Sequence, residues 1–316
     1  MNIILSNPRG FCAGVKRAIL IVEKALKFYK KKIYVLHEIV HNEYVIDQLR
    51  RRGVVFVEKI SQIPDNSIVI FSAHGVSKKT IKKAKKKKLI ILDATCPLVK
   101  KVHIEVSKSS QKNIETILIG HKGHPEVEGI LGQYTNKNSK IHLIESIEDI
   151  NDLSIKNDRK LNFFTQTTLS IRNTTKIIAS LRNKFPQISS PPKEDICYAT
   201  TNRQIAVNQL SNKVNMILVI GSKNSSNSNR LAELGRENGI FTKLINSFVD
   251  IKTKWLRNVN YIGITAGASA PEILVKEVVE YLKKLGAHES IEMLGIQEKT
   301  VFQLPKKISN TKIFLE

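Results

Sequence analysis

The chain carries only three cysteines, Cys12, Cys96 and Cys197, and no C-x-x-C pair. Three are too few and too far apart for a disulfide framework, and an odd number leaves one thiol over. Each sits among polar or glycine-rich neighbours: Arg9-Gly10-Phe11-Cys12-Ala13-Gly14, Ala94-Thr95-Cys96-Pro97, and Asp195-Ile196-Cys197-Tyr198-Ala199-Thr200. Buried thiols acting as small hydrophobes are the plain alternative, but those surroundings also suit thiolates that hold a metal. A structural zinc prefers four protein ligands. Iron–sulfur clusters are normally held by four cysteines, one to each iron. Three thiolates on a [4Fe–4S] cluster would leave one iron open to a substrate oxygen, as a Lewis acid and electron donor.

Other polar residues recur at near-constant offsets from the cysteines. Cys12 plus 29 is His41, Cys96 plus 28 is His124, and Cys197 plus 28 is Ser225. Cys12 plus 62 is His74, Cys96 plus 72 is Thr168, and Cys197 plus 72 is Ser269. Each landing point lies in a loop that follows an apolar run. A period of this kind points to three copies of one α/β unit, each giving a thiol and polar loops to a shared centre. His41, His74 and His124, with Ser225, Asn227 and Ser269, supply many donors and little negative charge. Glycine-flanked loops at helix N-termini present N–H groups to an anion, and histidines become cationic donors beside a phosphate. A diphosphate fits. Glu126, the one carboxylate directly beside a candidate ligand in these loops, reads either as a general acid or as a first-turn helix Glu. Thr167 and Thr168 are either substrate contacts or helix N-caps. His37, His103, His121, His142 and His288 are expected to be surface or capping residues.

These residues need strand-to-helix junctions to hold them. Ile90-Ile91-Leu92 is a short buried strand and Pro97 suits a first helical turn. Leu98, Val102 and Val106 then mark one face of a helix over 97–112, so Cys96 lies at the carboxyl edge of a sheet. A helix is expected over Val15 to Tyr29, with Ala18, Ile19, Val22, Ala25 and Leu26 inward. Strands are expected at Ile3 to Leu5, Ile33 to Leu36, Val54 to Val57, Ser67 to Phe71, Thr116 to Ile119, Ile141 to Ile144, Leu161 to Phe164, Met216 to Ile220 and Tyr261 to Ile264. Segments 120–129 and 221–230 read as loops, Gln187 to Asp195 as a linker, and 291–316 as an extended tail. The alternation gives an α/β class with mostly parallel sheets. The expected lobes are 1–96, 97–193 and 194–316, with residues 1–13 free to pack with the third, in a pseudo-threefold arrangement around a central cluster.

The bulk numbers bound the alternatives. With 316 residues, 41% hydrophobic and 25% charged, this is ordinary soluble composition with room for two or three domains. No run of about 18 apolar residues suggests a transmembrane span. The start enters a strand directly, so cytoplasm is the expected location. The formal charge of +23 invites a nucleic-acid reading. Against it, the lysines lie on helix surfaces without interleaved aromatics, and no Walker loop or dinucleotide fingerprint appears.

The strings Asn-Pro-Arg-Gly-Phe-Cys-Ala-Gly (7–14), Ser-Ala-His-Gly-Val-Ser (72–77), Asp-Ala-Thr-Cys-Pro-Leu-Val (93–99), Gly-His-Pro-Glu-Val-Glu-Gly (123–129), Thr-Gln-Thr-Thr-Leu-Ser (165–170) and Ser-Lys-Asn-Ser-Ser-Asn-Ser (222–228) resemble the 4-hydroxy-3-methylbut-2-enyl diphosphate reductases (IspH/LytB family). The likeness covers nearly the whole chain and is weakest in the lysine-rich helices and the tail. It implies a [4Fe–4S] cluster on Cys12, Cys96 and Cys197. It implies diphosphate binding by His41, His74, His124, Ser225, Ser226, Asn227 and Ser269, with Thr168 nearby, a substrate hydroxyl oriented by Thr167, and Glu126 as proton donor. The implied reaction is reductive dehydroxylation to isopentenyl and dimethylallyl diphosphate, the last step of the non-mevalonate isoprenoid pathway. Electrons would come from an acidic carrier such as flavodoxin or ferredoxin, which the basic surface would favour. A non-enzymatic iron–sulfur redox sensor is the alternative; it would keep the thiols without needing the anion site.

Overall fold

Parallel pairing joins all the named strands, as continuous apolar runs such as Met216-Ile217-Leu218-Val219-Ile220 require when helices cover both faces. The structure, a computed structural model, describes residues 1–305 and 308. The remainder of the expected tail, 306–307 and 309–316, lies outside the described residues. The chain opens with β1 (Asn2–Leu5), α1 (Ala13–Phe28), β2 (Ile33–Leu36), α2 (Glu43–Arg51), β3 (Val55–Val57), β4 (Ile68–Phe71), α3 (Lys78–Lys86) and β5 (Ile90–Asp93). It continues through α4 (Pro97–Gln111), β6 (Glu115–Ile119), α5 (Pro125–Leu131), β7 (Ile141–Ile144), β8 (Leu161–Thr165) and α6 (Ile171–Lys184). It ends with α7 (Tyr198–Ser211), β9 (Met216–Ile220), α8 (Ser226–Glu237), β10 (Phe241–Ile245), β11 (Tyr261–Ala266), α9 (Glu272–Lys284) and β12 (Ser290–Glu292).

Two units contain these elements. The first holds 1–15, 41–47 and 198–301, and the second holds 16–40, 48–197 and the chain from 302 onward. In the first unit one sheet runs in the order β10-β9-β11-β1-β12. Its central residues Ile3, Met216, Leu218, Ile220, Ile262 and Ile264 pack against Leu274, Val275, Val278 and Leu282 of α9. The second unit has two sheets, β3-β2-β4-β5 and β7-β6-β8. Val102 and Val106 of α4 pack on Leu118, Val127, Ile130 and Phe164, which seats α4 and α5 against the β6–β8 sheet. The α/β class with parallel sheets is therefore as expected. Among the described residues, no helix is long and apolar enough to cross a membrane.

Several expectations change. Segment 120–129 is not all loop: Pro125 occupies the first turn of α5, and His124 is its N-cap. Segment 221–230 likewise turns helical at Ser226, where Ser-Asn-Ser-Asn, poor helix formers but good caps, hid the start of α8. The supposed linker is stitched to the sheet edge, since Ser189 N–H donates to Leu161 O (3.0 Å) and Phe163 N–H to Ser189 O (3.2 Å). The inward stripe of α4 is Val99, Val102, His103 and Val106, with Leu98 only half-buried. His103 is thus no surface residue. Nor do Ile19 and Leu26 head the buried face of α1, which is Val15, Ala18, Ile21, Val22 and Ala25.

Candidate active site

Apart from Cys197, which follows α6 and the segment after it, the expected site residues follow the carboxyl ends of strands and lie in the first turn of a helix or in the loop before one, where open α/β folds place ligands. Each thiol stands directly ahead of a helix: Cys12 before α1, Cys96 as the N-cap of α4, and Cys197 before α7. All three are half-buried, and none is in a disulfide. The partial positive charge of a helix N-terminus favours an anionic ligand atom there. Among the described residues, no three His, Cys, Asp or Glu side chains are placed to hold a single metal ion. By donor chemistry alone, three thiols without a fourth protein ligand suit a cluster better than a structural zinc, which prefers four.

In the second unit, β4 delivers His74, β5 Cys96, β6 His124 and Glu126, and β8 Thr167. The turn after β4 is joined to the start of α4 by Cys96 N–H donating to Ala73 O (2.9 Å). His74 and His124 meet edge to face, their ring centroids 5.7 Å apart. Glu126 N–H donates to His124 Nδ1 (3.1 Å), so the neutral ring carries its proton on Nε2. Glu126 itself is 2% exposed. Thr167 N–H donates to its Oε1 (2.7 Å), and Thr167 Oγ1 lies 3.0 Å from its Oε2. Burial pushes the Glu126 carboxyl up to about 7, against the lowering effect of the two Thr167 bonds, and the charge on Asp195 pushes the same way as burial. Ser170, not Thr167 or Thr168, caps α6, which leaves Thr167 engaged with Glu126. Thr167 O in turn accepts from Cys197 N–H (3.0 Å).

In the first unit, Ser225 is the N-cap of α8 and accepts from Ser228 N–H (3.3 Å) and Ser228 Oγ (3.0 Å). Ser269, on the loop after β11, donates to His41 O (2.8 Å) and lies 3.4 Å from Ser225 Oγ. These bonds bring the His41, Ser225 and Ser269 loops together. Ser226 and Asn227 form the first turn of α8. Asn227 is 4% exposed, and neither its amide nitrogen nor its carbonyl oxygen has a hydrogen-bond partner. A buried carboxamide in that condition is costly unless a ligand satisfies it. The same loop cluster anchors Cys12, whose N–H donates to Ala268 O (3.1 Å).

Sequence reasoning passed over the residues that hold these loops. Gln166, fully buried, accepts from His121 N–H (3.0 Å) and donates to Thr168 Oγ1 (3.0 Å), linking the loops after β6 and β8. Arg203 of α7 is buried and donates to Gly10 O (2.7 and 3.1 Å) while pairing with Glu298 (2.9 Å), fixing the loop that leads to Cys12. Ser228 fits between Gly221 and Gly267, where any β-carbon would come within about 2.2 Å of its hydroxyl. Glycines in two polar loops were the available signal for that packing. Nothing in the sequence marks Arg203 as anything but a helix-surface residue. Of the histidines set aside, His37 pairs with Glu58, His121 with Glu145 and His142 with Glu115, and His288 is exposed.

The model of the LytB protein family matches residues 3–283. A 4-hydroxy-3-methylbut-2-enyl diphosphate reductase of Buchnera aphidicola (subsp. Acyrthosiphon pisum, strain Tuc7) is 75% identical over 316 residues, covering 100% of this chain and 99% of its own. The enzyme of the same name from Hamiltonella defensa is 58% identical over 98% of this chain and 97% of its own. Among solved structures, the E-1-hydroxy-2-methyl-but-2-enyl-4-diphosphate reductase of Plasmodium falciparum superposes with a TM-score of 0.90 at 39% identity, covering 97% of this chain and 96% of that one.

Proposed function

Because the chain belongs to the LytB family of 4-hydroxy-3-methylbut-2-enyl diphosphate reductases, we propose that it reductively dehydroxylates that diphosphate to isopentenyl and dimethylallyl diphosphate. This is an oxidoreductase reaction: two electrons and two protons remove the allylic hydroxyl as water. Cys12, Cys96 and Cys197 would hold the [4Fe–4S] cluster that, when bound, supplies electrons and Lewis-acid character. His41, His74, His124, Ser225, Ser226, Asn227 and Ser269 bind the diphosphate in this reading, supported by the helix N-termini that carry them. The unsatisfied carboxamide of Asn227 is a ready donor to a phosphate oxygen. Thr167 orients the substrate hydroxyl, Thr168 sits beside it, and Glu126 protonates the departing oxygen. An acidic one-electron carrier of the flavodoxin or ferredoxin kind delivers the electrons, and the cytoplasm is the setting. Family membership leaves the redox-sensor alternative without support.

The observation that carries the acid assignment is a carboxyl buried to 2% exposure, held by the Thr167 N–H and hydroxyl, and protonated up to about pH 7. An acid that ionises near the working pH transfers its proton most effectively. Glu126→Gln is therefore expected to lower turnover by about 10²-fold or more while leaving diphosphate affinity within a few-fold. Steady-state kinetics on anaerobically purified protein, with calorimetric binding of the substrate, would test this. Unchanged turnover would remove the proposed role.

A further inference from the structure

His103, expected at the surface, is 9% exposed, and its Nε2 has no hydrogen-bond partner. It lies on the inward stripe of α4, two turns after Cys96. Its ring edge meets two glycines from different segments. A methyl group on Gly75 would lie 2.7 Å from His103 Cε1 and 3.2 Å from Nε2, and 3.0 Å from Thr95 Cγ2. A methyl group on Gly129 would lie 3.2 Å from Nε2 and 3.3 Å from Cε1, and 3.4 Å from the carbonyl carbon of Gly75. Gly75 follows His74 in the turn after β4. Gly129 lies on α5, one turn beyond Glu126 and the His124 cap. Three pieces therefore converge on one imidazole: the helix capped by Cys96, the turn carrying His74, and the helix carrying His124 and Glu126.

Other contacts hold the same junction without crossing it. Gln133 Nε2 donates to Val76 O (2.9 Å), and Lys78 N–H donates to Gly132 O (3.2 Å), so α5 is bound to the far end of the turn. Cys96 N–H binds its near end at Ala73 O (2.9 Å). What remains at the middle is filled by the flat edge of His103. Burial keeps that ring neutral, pushing it down to about 4. An uncharged ring with an unpartnered nitrogen brings no ion pair to the junction. Its contribution is shape.

We propose that His103 is a positioning residue, a wedge between Gly75 and Gly129 that sets the spacing of His74 from His124 and Glu126 and keys both to the helix that begins at Cys96. This rests on the reading of His74 and His124 as diphosphate ligands. The two histidine rings already touch edge to face, so a small change in that spacing alters what a bridging phosphate can reach. Polar contacts to a ligand weaken steeply once geometry departs from about 3 Å.

The test is a double-mutant cycle on anaerobically purified holoprotein, with inorganic diphosphate as the calorimetric probe. Thermal melting is recorded beside each titration. His103→Ala is expected to weaken diphosphate binding about tenfold, and Gly129→Ala by a similar factor, because its methyl group meets the ring. In the His103→Ala background, Gly129→Ala is expected to cost nothing further. Equal cost in both backgrounds, or wild-type affinity in His103→Ala, would overturn the wedge. A lower melting temperature with unchanged affinity would also overturn it, leaving His103 as core filling. If His103→Ala does not fold, His103→Leu, which keeps most of the volume without the flat edge, takes its place as a single variant expected to weaken diphosphate binding about tenfold, and wild-type affinity in it would overturn the wedge. His74→Ala is the reference: if it binds diphosphate as well as wild type, the ligand assignment fails rather than the wedge.

Discussion

Burial favours the neutral form of both Glu126 and His103, and they make stability depend on pH in opposite directions. The His103 imidazole titrates near 4 in the fold against an ordinary 6.5, because burial outweighs the help of Asp93 and Lys100 adds to the lowering. Below the ordinary value the unfolded chain binds a proton that the fold refuses. Stability is therefore lost as pH falls from about 6.5 to about 4, by on the order of 3 kcal/mol in total. Glu126 does the reverse. Its folded value of about 7 against 4.5 means that the fold holds a proton the unfolded chain releases, so its contribution is full below 4.5 and declines as pH rises to about 7. Urea unfolding between pH 4 and pH 7 should thus show His103→Leu flattening the acid side and Glu126→Gln removing the decline toward neutrality. The sequence made Glu126 legible because a carboxylate two residues from a candidate histidine ligand, in a polar glycine-flanked segment, asks for a role. It misplaced His103 because helical periodicity was counted on aliphatic residues, and an imidazole on the same stripe looks like a break in the pattern.

At the scale of elements, Lys101 of α4 does what no motif announces. Its ammonium donates to Asp195 Oδ1 (3.0 Å), Lys193 O (2.6 Å) and Glu194 O (3.1 Å). Asp195 also accepts from Thr165 N–H (3.0 Å). The segment leading to Cys197 is thereby tied both to β8 and to the helix that Cys96 caps. Removing one partner of a buried ion pair strands the other. Lys101 is about a quarter exposed, so the expected cost of Lys101→Met is on the order of 2 kcal/mol, below the fully buried range. That corresponds to a melting temperature about 5 °C lower. Lys101→Met combined with Asp195→Asn should recover part of the loss, and differential scanning calorimetry of the three variants would show it. Strands were the most legible elements: the bounds of β2, β7 and β9 are those the apolar runs suggested. The starts of α5 and α8 were hidden by the Gly, Pro, Ser and Asn that precede and open them, residues suited to turns and caps but poor helix formers.

For the molecule as a whole, the formal charge of +23 bears on encounter rather than fold. With an acidic protein as reductant, turnover at limiting carrier should fall by about tenfold or more as salt rises from about 0.05 to 0.5 M, where the screening length shrinks to a few ångströms. With dithionite as reductant the same salt should have little effect. Equal sensitivity to salt with both reductants would argue against charge-steered docking. The sequence showed the charge and the three-sheet α/β alternation, but not the partner that β1 would find. That partner has a consequence for how the protein is made. β1 leaves the ribosome some 260 residues ahead of β11, and further ahead of β12, the two strands it pairs with. The two sheets of the second unit use only strands from the first 165 residues and can assemble while synthesis continues. The segment carrying Cys12 has to wait until β11 and the loop after it arrive. Closure of long loops is slow, so this one thiol is expected to find its folded place only after β11 has emerged, and any truncation before β11 leaves it without one.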